Sequence, residues 1–390
     1  MSVEQAKPDV AIVGGGPIGL AAAWRAAQRG LRVCVLDAGD GSGAWHVAAG
    51  MLAPVAEAQF GDSELLDLSL RAAAGFPAFC AELEQASGRD PGLRRSGTLV
   101  VARDRDEADE LDRLLAFRRR LGLDVERLLP TRARRAEPAL APTVRLALDM
   151  AGDHSVDPRR LVAALAEAVR QAGGSLRPHT RATGLRVSDD RVAGVELAGG
   201  STLRAGAVLL AGGAQLALLP GLPAGAGVPV RPVKGQVLRL RDPRGPGLVQ
   251  RTIRTRDAYL VPRADGRYVV GATMEERGWD TAPTAGGVFE LLRDVSEIVP
   301  GVLELDLEDV LVGLRPATPD NVPAIGAGAL EGLVWAAGHH RNGILLSGLT
   351  GELAATVLCG EELPGWAAAA DPLRFTGTAS PSGTGSRVPA

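Results

Sequence analysis

The sequence predicts an α/β protein: a Rossmann-like dinucleotide-binding domain, discontinuous along the chain, with an inserted α+β domain built on a mostly antiparallel sheet. Three observations predict it. Residues 9–37 run strand, glycine turn, helix, strand, acid. Two later apolar runs, Ala207-Val208-Leu209-Leu210 and Leu333-Val334-Trp335-Ala336-Ala337, also stop on glycine, as strands that cross near a dinucleotide do. Between them, residues 230–272 hold short strand-like runs separated by turn residues, the mark of an antiparallel sheet.

The first stretch organises the rest. Val10-Ala11-Ile12-Val13 leads into Gly14-Gly15-Gly16-Pro17-Ile18-Gly19, an alanine-rich helical segment follows to Gly30, and Leu31-Arg32-Val33-Cys34-Val35-Leu36 ends on Asp37. Gly14 allows a tight turn, Gly16 lets backbone N–H groups approach a pyrophosphate, and Gly19 lets the helix lie close to the strands. The helix N-terminus adds partial positive charge for the phosphates. Asp37 can accept hydrogen bonds from ribose hydroxyls. These residues leave open whether the dinucleotide is FAD or NAD.

Gly39-Asp40-Gly41-Ser42-Gly43 is a flexible loop, and Ala48, Ala49 and Gly50 suit either a flat ligand against the backbone or a tightly packed helix start. Residues 63–84 carry apolar side chains at helical spacing, residues 97–101 read as a strand, and residues 104–121 as a charged helix. Pro138 and Pro142 make 133–150 turns plus one strand. Asp157-Pro158 opens a helix that runs to about residue 172, with an acid at the N-cap and proline at the first helical position. Strands at 181–187 and 192–197 flank the turn Ser188-Asp189-Asp190. Pro and Gly between 220 and 232 mark a domain crossing, followed by strands near 236–240, 258–261 and 268–270, a helix over 284–298, and a last helix over 344–358. The dinucleotide-binding domain is therefore expected from 1–85, 151–225 and 326–370, the substrate domain from 86–150 and 226–325, and a disordered Gly/Ser/Thr/Pro tail from 371–390.

Composition narrows the function classes. The chain has 390 residues, 46% hydrophobic and 23% charged, ordinary values for a globular protein of more than one domain. Net charge is −3 without segregation, so nothing draws nucleic acid or an anionic membrane. Cys34, Cys80 and Cys359 are scattered, which argues against a disulfide framework and a zinc site and for a reducing compartment. The N-terminus shows no secretory pattern, and the apolar run over 10–24 is shorter than the ~20 residues that span a bilayer. A soluble cytoplasmic protein is expected.

Further motifs appear in order: Ala48-Ala49-Gly50-Met51-Leu52, Pro232-Val233-Lys234-Gly235-Gln236, Tyr259-Leu260-Val261-Pro262-Arg263, Val270-Gly271-Ala272-Thr273-Met274-Glu275, Gly313-Leu314-Arg315-Pro316-Ala317-Thr318-Pro319-Asp320 and Gly338-His339-His340-Arg341-Asn342-Gly343-Ile344-Leu345. With the fingerprint at 14–19 and Asp37, they cover nearly the whole chain. In these the sequence resembles the FAD-dependent amine oxidases of the D-amino-acid oxidase and glycine oxidase family, most nearly the glycine oxidases of thiamine biosynthesis.

The resemblance implies non-covalent FAD, with Pro17 and Ile18 at the pyrophosphate, Asp37 and Ala38 at the ribose, and Ala182 at the adenine end. Ala44, Trp45, Ala49, Gly50 and Met51 would line the path to the isoalloxazine ring, and His339, His340, Arg341, Asn342, Gly343, Ile344 and Leu345 would bracket the flavin pyrimidine. Where the family usually has small hydroxyl residues, this chain has Ala44 and Trp45, which removes hydrogen bonds at that place. Arg315 is the expected partner of a small amino acid's carboxylate, because a guanidinium fork matches it bidentately. Arg341 would be a second carboxylate contact, with Tyr259 and Met274 walling the pocket. Taken alone, Tyr259 and Met274 would be assigned to core packing and Arg315 to a structural ion pair. His339 and His340 lack a third ligand at metal spacing, and no metal is expected.

The implied reaction is hydride transfer from the substrate α-carbon to flavin N5, imine hydrolysis, and reoxidation by O2. Related sarcosine oxidases carry a lysine for oxygen activation where this chain has Met274, and a cysteine for covalent attachment that is missing between residues 312 and 320. Both departures point to the glycine oxidase branch. The implied partners are a small amino acid and O2, and the implied assembly is a homotetramer. Three other readings stay open from the residues: a D-amino acid or proline dehydrogenase using a non-oxygen acceptor, an NAD-linked dehydrogenase, and a non-catalytic flavin-binding protein.

Overall fold

The computed structural model describes residues 7–41, 43–61 and 63–376. Val10–Val13 is buried on both faces, which is why its sequence is a continuous apolar run rather than an alternation. It pairs in parallel with Val33–Leu36 on one side and Ala207–Leu210 on the other. The complete sheet has six strands, in the order Ala324–Ala327, Leu333–Ala337, Ala207–Leu210, Val10–Val13, Val33–Leu36, Ser175–Arg177. Only the Ala324–Ala327 edge runs antiparallel to its neighbour. Helices Pro17–Gln28, Ser63–Ser87, Pro158–Gln171 and Ser347–Leu358 share a core with one face of this sheet. Helices Pro17–Gln28 and Ser347–Leu358 approach closely at Gly351, where a side chain would press on the Ala21 backbone. The other face packs on a three-stranded antiparallel sheet spanning Ala182–Ser188, Arg191–Leu197 and Thr202–Arg204. Its hairpin turns at Asp189 and Asp190, both with positive φ, which aspartate tolerates better than most residues.

The second sheet has eight strands: Asp306–Ala317, Arg231–Arg241, Arg267–Gly271, Tyr259–Pro262, Thr252–Arg254, Thr98–Ala102, Leu146–Met150 and Glu126–Leu128. It is antiparallel except where Thr252–Arg254 meets Thr98–Ala102. Helix Ala285–Ser296 contributes Leu291 and Val295 to the core under this sheet. Helix Arg105–Arg120 starts at Asp104, whose side chain accepts the Glu107 N–H.

Several elements differ from the sequence expectation. Asp306–Ala317 was not expected as a strand, because its acidic first half is solvent-exposed and hides the alternation. Arg231–Arg241 is far longer than the expected 236–240, since it pairs with that strand along its whole length. Pro130–Ala136 forms a helix that takes in the start of 133–150, where turns were expected, with Pro130 at its first turn, where a missing N–H costs nothing. The last helix begins at Ser347 rather than 344, after a 3-10 turn over His340–Asn342. Residues 371–376 are not tail: Pro372–Phe375 is a 3-10 turn whose Phe375 is buried against the first sheet. The rest of the expected tail, 377–390, lies outside the described residues. Among the described residues, no helix is long and apolar enough to cross a membrane.

Candidate active site

A cleft of about 1040 Å³ runs between the two sheets. One end is built by the glycine turn. Gly14 has φ +113°, and a Cβ there would strike the Ala211 carbonyl. A Cβ on Gly19 would land on the Gly14 carbonyl oxygen, so the helix can follow the first strand this tightly only without a side chain at either position. Gly16 caps helix Pro17–Gln28 with no side-chain hydrogen bond, leaving the first-turn N–H groups directed at the cleft. Asp37 accepts from Gly15 N (2.8 Å) and Gly39 N (2.7 Å), which fixes its carboxylate while each oxygen keeps a further lone pair. Gly15 must be glycine for this, since a Cβ would overlap the Asp37 carboxylate. An anion-binding helix start beside an acid that can take hydroxyl donors fits a dinucleotide.

Gly14, Gly16, Pro17, Ile18, Asp37, Ala38, Ala44, Trp45, Ala49, Gly50, Met51, Ala182 and the run His339 to Leu345 all border this cleft, while Gly19 lies beneath it. Trp45 stands against Gly16 and stacks on His46 at 3.7 Å. His339 is buried and shares a 2.9 Å hydrogen bond between Nε2 and Thr350 Oγ1. Burial pushes its pKa down to about 3, so it is neutral and packed. His340, with φ +46°, has its pKa lowered to about 4 by burial and then by Arg315 and Arg341. No metal-binding cluster occurs among the described residues.

The other end of the cleft is one face of the eight-stranded sheet. Arg254 pairs with Tyr259, Tyr259 with Gly271, and Gly271 with Val237, so their side-chain positions form one row across the sheet. Arg315 pairs with Val233, and Gly313 with Gly235, on the same face. Glycines in this patch give the large side chains room. A Cβ on Gly271 would overlap the Tyr259 ring, and one on Gly235 would overlap the Arg315 guanidinium. Arg315 therefore lies flat across the sheet, its Nη1 donating to the carbonyls of Lys234 (3.3 Å) and Thr273 (3.1 Å). Those carbonyls are held by a buried network: Lys234 Nζ donates to Asp280 (2.7 Å) and the Ala282 carbonyl (2.6 Å), and the Gln236 N–H to Thr273 Oγ1 (2.9 Å). Among the described residues Arg315 has no carboxylate within ion-pair distance, and the rest of its fork is unengaged. Met274 also borders the cleft but is 60% exposed, so it sits at the mouth rather than deep in the wall.

Glu57 and its partner Arg254 escaped the sequence reading. Glu57 closes the one-turn helix Pro54–Glu57, where Oε1 accepts from Arg254 Nη1 (2.5 Å) and Oε2 lies 3.4 Å from Arg341 Nε. Burial acts to raise the Glu57 carboxyl, but Arg254, Arg341 and Arg315 outweigh it and hold it below the usual range. The only sequence signal was an acid at the end of a run of small apolar residues. Three guanidiniums around one carboxylate leave surplus positive charge, which attracts an anion and disfavours a protonated amine beside it.

This turn is seated by two further buried charges. Asp153 accepts from Ala56 N (2.6 Å) and Val55 N (3.2 Å), and Arg118 Nη2 donates to the Ala56 carbonyl (2.7 Å). Burial raises the Asp153 pKa to about 7 despite those N–H bonds. A carboxyl whose folded pKa is raised lends most stability below its unfolded pKa, and loses it as pH rises through the folded one. Asp153→Asn cannot ionise. Its stability relative to wild type should therefore improve as pH rises from about 4 to about 7, by a few kcal/mol in order of magnitude, then level off. Melting temperatures across that range check this; a difference independent of pH would contradict it.

The family model described as FAD dependent oxidoreductase (DAO) matches residues 9–357. A glycine oxidase from Geobacillus kaustophilus is 39% identical over 90% of this chain and 92% of its own. The crystal structure of glycine oxidase from that organism superposes with a TM-score of 0.87 at 37% identity, over 95% of this chain and all (100%) of that one. The bifunctional protein ThiO/ThiG of Synechocystis is 34% identical over 97% of this chain but only 55% of its own. The crystal structure of iminodiacetate oxidase from Chelativorans gives a TM-score of 0.83 at 29% identity, covering 93% of this chain and 98% of that one.

Proposed function

The chain belongs to the FAD-dependent oxidoreductase (DAO) family, and on that premise we propose that it oxidises glycine and other small amines, including D-amino acids, to the oxo acid, ammonia and hydrogen peroxide. The observation that carries this reading is Arg315, whose guanidinium lies on the cleft wall with Tyr259, donates through Nη1 to two backbone carbonyls, and has no carboxylate partner among the described residues. The likeness to glycine oxidases supports it.

In this reading the turn from Gly14 to Gly19 and the start of helix Pro17–Gln28 hold the pyrophosphate, and Asp37 and Ala38 the ribose. Ala182 meets the adenine end. Ala44, Trp45, Ala49, Gly50, Met51 and the run His339 to Leu345 surround the flavin ring. Bound there, FAD would supply the acceptor for a hydride from the substrate α-carbon and the route by which the electrons reach O2. The chain supplies orientation and charge. Arg315 grips the carboxylate bidentately and Tyr259 walls the pocket, while Arg341 adds positive charge and Met274 covers the mouth. The cationic wall favours the neutral amine, the form that can give up hydride. Hydride transfer from the neutral amine requires no acid–base pair, and burial holds His339 and His340 uncharged. Attachment of FAD is non-covalent in this reading, and among the described residues no cysteine borders the cleft. The likeness to ThiO/ThiG supports a role in supplying thiazole synthesis for thiamine. A cytoplasmic location rests on the three free cysteines, and a homotetramer on the family resemblance alone.

Product stoichiometry tests the reading. With glycine under air, glyoxylate, ammonia and hydrogen peroxide should appear in equal amounts. Glyoxylate without peroxide, or turnover only with an added quinone, would replace the oxidase with a dehydrogenase.

A further inference from the structure

Near Tyr259 the cleft wall carries the guanidiniums of Arg254, Arg315 and Arg341, with the Glu57 carboxylate between Arg254 and Arg341. A second carboxylate, Glu275, lies along the same cleft, with Oε1 taken by Gln236 Nε2 and Thr273 Oγ1. The three guanidiniums are unequally engaged. Glu57 holds Arg254 through Oε1 at 2.5 Å and faces Arg341 through Oε2 at 3.4 Å, so both of its oxygens are committed to cations. Arg315 has only backbone carbonyls as protein partners. Glu57 cannot swing away easily, because its one-turn helix is pinned at Val55 and Ala56 by Asp153 and at the Ala56 carbonyl by Arg118. The wall thus presents one open guanidinium, two occupied ones, and a fixed negative charge between the occupied pair.

We propose that Glu57 is the specificity-determining residue of this site, restricting it to amines with a single carboxylate by occupying Arg341 and Arg254. The inference rests on the reading that Arg315 takes the amine's carboxylate. A second carboxylate on the substrate finds Arg254 and Arg341 already paired with Glu57 and must lie beside that like charge to reach them. Removing that charge while keeping the shape leaves Arg341 and Arg254 without their counterion, next to a carboxylate already seated on Arg315. An N-carboxymethyl amino acid such as iminodiacetate is the substrate class such a site would gain.

Two oxygen analogues that carry no amine to oxidise separate binding from chemistry: methoxyacetate, with one carboxylate, and diglycolate, with two. Their dissociation constants are measured by calorimetry on the FAD holoenzyme, alongside kcat/KM for sarcosine and iminodiacetate. Wild type should bind methoxyacetate about tenfold or more tightly than diglycolate. Glu57→Gln should reverse that order and raise the iminodiacetate-to-sarcosine ratio of kcat/KM by about tenfold or more. Adding Arg254→Gln and Arg341→Gln together to it should abolish the gain. The inference is overturned by wild type binding diglycolate as tightly as methoxyacetate, by an unchanged preference in Glu57→Gln, or by a gain that survives loss of both arginines. Should the glutamine variant not fold, Glu57→Asp decides: its shorter arm cannot span both guanidiniums, so a partial gain is expected and an unchanged ratio overturns the proposal. Arg315→Ala tests the underlying reading separately. If that variant still binds methoxyacetate like wild type, the carboxylate does not sit on Arg315, whatever the Glu57 variants show.

Discussion

Arg315→Ala should give a folded protein that keeps its FAD and loses roughly 10²- to 10³-fold in kcat/KM for glycine, the loss expected when one member of a buried, hydrogen-bonded charge pair is truncated. The fold should survive because Arg315 contributes no ion pair among the described residues. Its hydrogen bonds go to the carbonyls of Lys234 and Thr273, which can be rehydrated from the cleft. FAD should stay because the dinucleotide end, from Gly14 to Asp37, is built from other elements. Arg315→Lys should recover only part of the loss, since an ammonium restores the charge but not the fork. Steady-state kinetics with flavin content and melting temperature check this. Wild-type kinetics in the alanine variant would remove Arg315 from the substrate site.

Gly19→Ala should abolish FAD binding. The added carbon would coincide with the Gly14 carbonyl oxygen, and Gly14 is itself backed by the Ala211 backbone. Neither neighbour is the end of a flexible side chain, so the turn must deform or the helix must lift from the sheet. Both outcomes destroy the phosphate cradle. Gly75→Ala is the matched control: it lies exposed in helix Ser63–Ser87 with nothing within 4 Å of an added Cβ. There the change should stabilise by about 0.5–1 kcal/mol. Colourless Gly19→Ala beside yellow, slightly more stable Gly75→Ala is the expected pair; a yellow, wild-type-like Gly19→Ala would contradict the account.

How much of this was legible in the sequence depends on the range of the interactions. The run from Val10 to Asp37 was readable because strand, turn, helix and acid are local. Ala207–Leu210 and Leu333–Ala337 stood out because burial on both faces makes them uniformly apolar. Asp306–Ala317 did not, since an edge strand with an exposed acidic half has no such pattern. At the site, Arg315 and Tyr259 came from motifs that resemble a family, while their seating on Gly235 and Gly271 needed the sheet register. Glu57 was illegible. Its partner Arg254 lies 197 residues away, and nothing local distinguishes that acid from a surface one.

The account's central claim is that a small amine is held by Arg315 so that its α-carbon can reduce the bound FAD. Anaerobic mixing of the purified yellow protein with glycine tests it most directly, with sarcosine, D-alanine and D-proline in parallel. Glycine should bleach the flavin absorbance of wild type, and Arg315→Ala, equally yellow, should bleach far more slowly. A wild-type flavin that stays oxidised with every one of these amines would contradict it.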